Sequence, residues 1–400
     1  DWIGNEALRL AHEKLSFIGT INREFDSSFK PGYGNTIRIR IPSQYTVTEG
    51  RVIDVQDAVQ QSTSIVVATQ RHVAMRYNSQ EMAQDLVNFQ KLHLEPAMAQ
   101  LAANVENTVI QACSEGTFNT VGVAGSAITS LTYPGLARAR LNQYLAPKGG
   151  GRNLMLDSVT MSELVNAFRD LTNPAGAISE QYREGFIARS AMADIYENEK
   201  VYNLVNTSDI LATISTYTIT DPDSTLTVSG LSVAPTPGMV FTVGSGASAI
   251  YACHPETKEG YTHLQQFVIS GAAADTTTST LTFLPVMRLT GARKNVSRAN
   301  GDDLIVSSLT SAAVNFVGAA SSTYPQPLMY HRDAFTFATA GLPLMDDAIR
   351  CVVKTYDGIS LRVWEASDIR NDEKLTRIDI LFGQAVIRPQ WSVRMIGTGA

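Results

Sequence analysis

Between Pro96 and Gly116 the chain carries Met98, Leu101, Ala102, Val105, Val109 and Ala112 on one stripe, with Gln100, Asn104, Asn107 and Gln111 falling largely elsewhere. This spacing predicts an amphipathic helix. Pro96 suits the first helical position, and Gly116 a left-handed residue just past the end. At 1.5 Å per residue such a helix is about 30 Å long, and it contains no glycine. A shorter helical pattern precedes it, with Asn78 or Ser79 as cap, Glu81 placed to close a capping box on Asn78, and Met82, Leu86 and Phe89 at helical spacing. Other elements must cover the long stripe, and Leu101, Val105 and Val109 are expected at the centre of that core. The plainest account of this stretch alone is a core helix of an α+β protein.

The segment before the helix is harder to satisfy. PGYGNTIRIRIP (31–42) places Ile37, Ile39 and Ile41 on one face and Arg38 and Arg40 on the other, a period-2 strand ended by Pro42. The return strand is expected within 64–77, where Val73, Met75 and Tyr77 alternate with His72, Ala74 and Arg76. About twenty residues, read as polar, separate the two, more than a hairpin loop normally holds. An isolated two-stranded ribbon is marginal in water and its edges invite pairing. With no third strand nearby, the ribbon is expected to be completed by other chains. Its Ile37, Arg38, Ile39, Arg40 and Arg71 are then candidate contacts. Residues 1–18 favour a helix with Leu8, Ala11, Leu15 and Ile18 on one face, and Leu8 and Leu15 are candidate contacts to a neighbour.

Farther on, a helix is expected at 134–145, a flexible connection at PKGGGR, a buried strand at 152–158, a helix at 161–171, and turns with short strands over 174–200. From about 206 to 324 charge thins and Thr, Ser, Gly and Val dominate. Short candidate strands recur at 217–220, 225–229, 239–243, 248–253, 264–269, 279–284 and 303–307. Such spacing predicts an all-β barrel or sandwich inserted into the first domain. After it, 359–368 places Ile359, Leu361 and Val363 inward. Residues 376–396 give two strands joined through Arg388-Pro389. These end strands are expected beside the long helix, so that the first and last thirds close one core.

No arrangement for chemistry stands out. Gly244-Ser-Gly246 reads as a turn, and Lys148-Gly-Gly-Gly-Arg152 as a linker without the order of a phosphate-binding loop. His254, Glu256, Glu259 and His263 could hold a metal only if their loop folded back, and the histidine spacing fits no ligand pattern. His331, Arg332 and Asp333 lack a nucleophile and read as a polar turn. Asp85, Asp157, Asp333 and Asp379 show no pairing. We therefore expect no catalytic, cofactor or metal site. Cys113, Cys253 and Cys351 are odd in number and far apart, which points to a reducing compartment rather than a disulfide framework. No run approaches 18 apolar residues, so no membrane-spanning helix is expected. Charged residues make up 18% of the chain, against about 25% for typical soluble domains, which fits a surface covered by neighbouring subunits.

The order of these parts, with EPAMAQLAANVEN (95–107), YREGFIARSAMADIYENEKV (182–201), HRDAFTFAT (331–339) and TRIDILFGQAVIRPQWSVRMI (376–396), resembles tailed-phage major capsid proteins of the Hong Kong 97 type. In detail it resembles the short-tailed-phage coat proteins that carry an inserted β domain. The resemblance implies an α+β fold with an N-arm (1–30), an extended loop (31–77), the spine helix with the peripheral domain (78–120) and a first axial part (121–205). The inserted domain (206–324), the axial return (325–345) and the peripheral C-terminal strands (346–400) follow. It also implies a homo-oligomeric icosahedral shell of hexamers and pentamers around double-stranded DNA, a portal, and host cytoplasm as the place of assembly. The first residues enter the N-arm at once, which suggests a separate scaffolding protein. A net charge of −6 suits a shell that must not grip its DNA. The alternatives are an encapsulin-like nanocompartment, a carbohydrate-binding surface protein and an enzyme. The inserted β domain, the lack of a signal peptide and the missing catalytic constellation speak against them in turn.

Overall fold

The structure, a computed structural model, describes all residues except 1–5, 12–14, 26–28, 30–33, 54, 58, 79–92, 169–192, 216–220, 275–277, 299–308, 310, 347, 357 and 398–400. The candidate strands at 217–220 and 303–307, most of 174–200, and the helical pattern of Glu81, Met82, Asp85, Leu86 and Phe89 lie outside the described residues. The chain divides into two compact units. The first comprises Asp1–Ile39, Ser62–Ala112 and Phe335–Ile387, the second Arg40–Gln61, Cys113–Ala334 and Arg388–Ala400.

The first unit is built on a 14-residue strand, Glu373–Val386. Along one edge runs Ile359–Asp368, followed outward by Arg350–Tyr356. Two segments share the other edge. The strand Phe335–Thr339 pairs with the end of the long strand from Phe382 to Val386, and Thr69–Asn78 with the rest, from Glu373↔Asn78 to Phe382↔Thr69. We label the extended segments β1 (Thr36–Ile41), β2 (Gln61–Val66) and β3 (Thr69–Asn78). The return segment thus splits into two strands. β2 pairs with β1, and β3 joins the sheet of its own chain. β1 and β2 remain a two-stranded pair. Val73, Met75 and Tyr77, expected on the ribbon's return strand, belong instead to the sheet strand β3, which corrects that expectation. The backbone at Val66 and Val67 crosses the long strand at Gly383, where a Cβ would stand 2.1 Å from the Val66 carbonyl oxygen. No residue with a side chain fits there.

The N-terminal segment packs on the same unit. Leu8, Ala11, Leu15, Phe17, Ile18 and Ile21 are all buried. Asn22 brackets the sheet edge: its amide donates to the Phe335 carbonyl and its carbonyl accepts from the Phe337 amide. The expected helix over 1–18 is not continuous. Leu15 is non-helical, and a new helix spans Ser16–Thr20. Along Ile359–Asp368 the pattern also departs from expectation. Ile359, Leu361 and Val363 are buried, but so are Ser360 and Arg362 on the other face. This strand is covered on both sides.

The long helix spans Glu95–Glu115. Met98, Leu101, Ala102, Val105 and Val109 are buried and Ala112 half-buried, while Gln100, Asn104 and Asn107 are exposed, as the stripe predicts. Gly116 is not among the left-handed glycines. Thr117 closes the helix end instead, its Oγ1 donating to the Cys113 carbonyl at 2.8 Å and its amide to the Ser114 carbonyl at 3.1 Å.

In the second unit a five-stranded sheet runs in the order Thr120–Gly122, Ser392–Ile396, Leu328–His331, Arg152–Leu156, Asp194–Glu197. Helices Thr132–Gln143 and Ser158–Phe168 cover it, placing Ala137, Leu141, Met161 and Leu164 against Leu154, Leu156, Met329, Val393 and Met395. Asp157 starts the second of these helices, its Oδ2 accepting from the Thr160 amide at 3.1 Å. The last two strands of the chain therefore part company. Glu373–Val386 belongs to the first unit and Ser392–Ile396 to the second, which corrects the expectation that both close one core.

The region from 206 to 324 holds a closed barrel in the order Val240–Val243, Phe267–Ala274, Ser279–Met287, Asp223–Ser229, Leu211–Ile214, Ala313–Phe316. Phe241, Phe267 and Phe283 fill it, with ring centroids 5.0–5.9 Å apart. The chain enters and leaves side by side, Asn203–Val205 pairing with Thr323–Pro325. Arg394, fully buried on strand Ser392–Ile396, donates from Nη1 to the Gly238 carbonyl at 2.8 Å.

Candidate assembly interface

On β1 the alternation holds. Arg38 and Arg40 are exposed, Ile39 is buried and Ile37 half-buried. The isoleucines pack with Ile65, Val67 and Ala338 of the same unit, Ile39 as a buried member and Ile37 in part. Leu8 and Leu15 are likewise core residues of their own chain. Arg71 on β3 is exposed. Of the contact candidates read from the sequence, the three arginines are exposed, Ile37 is half-buried, and Leu8, Leu15 and Ile39 are buried in their own chain.

Between β1 and β2 the loop is not the polar tract read from the sequence. Val47 is 97% exposed, Val52 88%, Ile53 86% and Val55 81%, with Tyr45 and Val59 also exposed. Four branched side chains lying almost wholly in water within nine residues are an unpartnered apolar surface. Sequence reasoning missed them because they are scattered among Thr, Glu, Gln and Asp without a period. Ile369, 97% exposed where Ile359–Asp368 turns toward Glu373–Val386, is a second such point.

The clusters that suggested chemistry have structural roles. His254 Nδ1 accepts from the Glu256 and Thr257 amides at 3.1 Å each, which builds the turn. His263 stacks on Tyr261 with centroids 5.0 Å apart. Burial, with the Arg140 cation adding, pushes its pKa down to about 3. Among the described residues no group of His, Cys, Asp and Glu is arranged to hold a metal. His331 accepts from the Asp333 amide at 3.2 Å and meets Trp391 edge-on at 5.5 Å. Burial lowers its pKa against the pull of Asp333, and Arg152 and Arg388 add to the lowering. Arg152 holds the glycine-rich connection, donating to the carbonyls of Ala146 (2.7 Å) and Pro147 (2.9 Å). Asp379, read as unpaired, is fully buried between Arg362 and Arg377.

A chain with an exposed apolar loop, a spine helix and an inserted barrel is matched over residues 35–399 by the family model described as P22 coat protein - gene protein 5. The chain belongs to this coat protein family. It is a tailed-phage major capsid protein, an α+β chain of the Hong Kong 97 type whose role is structural and whose place is the virion shell, which it forms with copies of itself. The nanocompartment alternative is not favoured.

Solved structures resemble the coat protein at low identity. A chain from Mycobacterium phage Che8 is 11% identical with a TM-score of 0.49, over 95% of this chain and 90% of that one. The capsid of Ralstonia phage GP4 is 8% identical with a TM-score of 0.46, over 95% and 87%. The acidic stable capsid of Helicobacter pylori bacteriophage KHP30 is 10% identical with a TM-score of 0.42, over 96% and 92%. No curated protein sequence matches the chain.

Proposed function

We propose that the extended loop of this coat protein binds the adjacent subunit in the shell, with Val47, Val52, Ile53 and Val55 as the buried anchors and Arg38, Arg40 and Arg71 as polar contacts. The near-complete exposure of those four aliphatic side chains carries the reading, because a shell offers each copy a neighbour to cover them. The N-arm takes part through its backbone and exposed face, since Leu8 and Leu15 serve its own core. The units act as the peripheral, axial and inserted domains of the resemblance, and the copies form hexamers and pentamers. A separate scaffolding protein and a portal join during assembly in the host cytoplasm. The shell encloses double-stranded DNA without sequence-specific contact. A net charge of −6 supports this, because few phosphates are neutralised by an acidic lining.

A photo-crosslinking residue placed at Val52 tests the proposal. Assembled particles are expected to give crosslinks between subunits and the unassembled protein none. Crosslinks confined to one chain in both states would overturn it.

A further inference from the structure

The apolar tip of the loop is held in place by the chain that carries it. Gln56 ties the two limbs together. Its Oε1 accepts from the Thr46 amide at 2.8 Å and its Nε2 donates to the Thr46 carbonyl at 2.7 Å. Val47, Val52, Ile53 and Val55 all lie on the segment so closed. Below it stands Arg293, on the rim of the inserted barrel. Its Nη2 donates to the Val59 carbonyl at 3.0 Å. With the Gln61 amide turned so that its oxygen faces the cation, Nη1 and Nε both donate to that oxygen, at 3.0 and 2.8 Å. All three nitrogens of one guanidinium thus bond to the base of the loop.

The support for Arg293 is itself fixed. It ends the short turn Gly291–Arg293. The residue before the turn, Thr290, donates from its amide (3.2 Å) and its hydroxyl (3.0 Å) to Asp221, which lies 3.9 Å from Arg288. Between loop and rim lies a cleft of about 580 Å³ lined by Gln44, Asp57, Asp221 and Arg288 among others. The loop is therefore held by a few directed bonds rather than by a packed apolar face. Such an attachment sets direction without sealing the loop down.

We infer that Arg293 is a clasp by which the inserted domain fixes the direction of the extended loop in the unassembled subunit, so that the apolar tip is presented to a second copy of the chain. This rests on the reading of the loop as a contact with the next subunit. A planar guanidinium suits the task because it bonds two acceptors in fixed geometry, which a lysine cannot do. The bonds order the loop before assembly, so less conformational freedom is lost when the neighbour arrives.

Hydrogen exchange on the unassembled full-length protein tests the clasp directly. Arg293→Lys and Gln61→Met remove the fork from opposite sides. Each is expected to raise exchange over 44–60 by about tenfold, the size of one lost charged hydrogen bond. Strands Val240–Val243 and Phe267–Ala274 should be unchanged. Unchanged exchange over 44–60 in both variants overturns the inference, and so does an equal rise across the barrel strands, because Arg293 would then serve only the domain's own stability. Assembly yield is read separately. Wild-type subunits that never form shells would refute the capsid contact while leaving the exchange result to decide the clasp.

Discussion

Two nitrogens of Arg362 converge on one oxygen of Asp379, Nη2 at 2.7 Å and Nε at 3.1 Å. Asp379 has no solvent exposure and Arg362 is 4% exposed. The second carboxylate oxygen accepts from Arg377 Nε at 2.7 Å, and the third nitrogen of Arg362 donates to the Pro343 carbonyl at 2.9 Å. The buried Arg362–Asp379 pair is thus neutral and hydrogen-bonded inside the sheet, with the half-exposed Arg377 beside it, the condition under which a buried pair is tolerated. Asp379→Leu alone leaves a buried cation without its partner and is expected to cost about 3–5 kcal/mol. Adding Arg362→Met should recover much of that loss. Denaturant melts of the single and double variants check both statements.

Glu106 fixes the N-terminal segment to the spine. It is fully buried, and its Oε1 accepts from the Phe17 amide at 2.5 Å and from Ser16 Oγ at 3.4 Å. A carboxylate from another element thereby satisfies one backbone amide, that of Phe17, at the start of helix Ser16–Thr20. Glu106→Ala is expected to destabilise by about 1–3 kcal/mol. Limited proteolysis between Leu15 and Phe25 should quicken well before the barrel is cut.

Core and contact should separate by mutation. Leu101 is buried on the spine stripe, so Leu101→Asp is expected to cost more than ~3 kcal/mol. Arg38 is exposed on β1, so Arg38→Glu should leave monomer melting unchanged and lower assembly yield. Identical behaviour of the two variants would contradict the division.

What could be read in the sequence follows from which patterns are local. Ile37, Ile39 and Ile41 alternate with arginines because one face of β1 is buried and the other wet, and the spine stripe is legible for the same reason. The burial of Ser360 and Arg362 is not legible because alternation cannot report a strand covered on both faces. The partners that satisfy the buried charges are remote, Asp379 lying 17 residues from Arg362 and Glu106 90 from Ser16. Arg293 is 234 residues from Val59. Only folding brings such pairs together. The valines of the loop carry no periodicity to set them apart from a core strand, so their exposure was illegible.

Acid should weaken the second unit through His263. Its folded pKa of about 3 lies below the ordinary 6.5. Between those values the unfolded chain takes up a proton that the folded chain refuses. Stability is therefore expected to fall as pH drops from about 6.5 to about 3, and this contribution levels off below. His331 shifts in the same direction and adds to the slope. Melting His263→Phe beside the wild type from pH 7 to pH 4 should show a shallower decline in the variant.

The central claim is that this chain is completed by copies of itself through its extended loop. Negative-stain microscopy of the purified protein, set beside a variant with Val47, Val52, Ile53 and Val55 changed to serine, tests it most directly. Closed shells or rings of subunits from the wild type and dispersed monomers from the variant are the predicted result. Dispersed monomers from both proteins, or shells formed equally well by both, would contradict it.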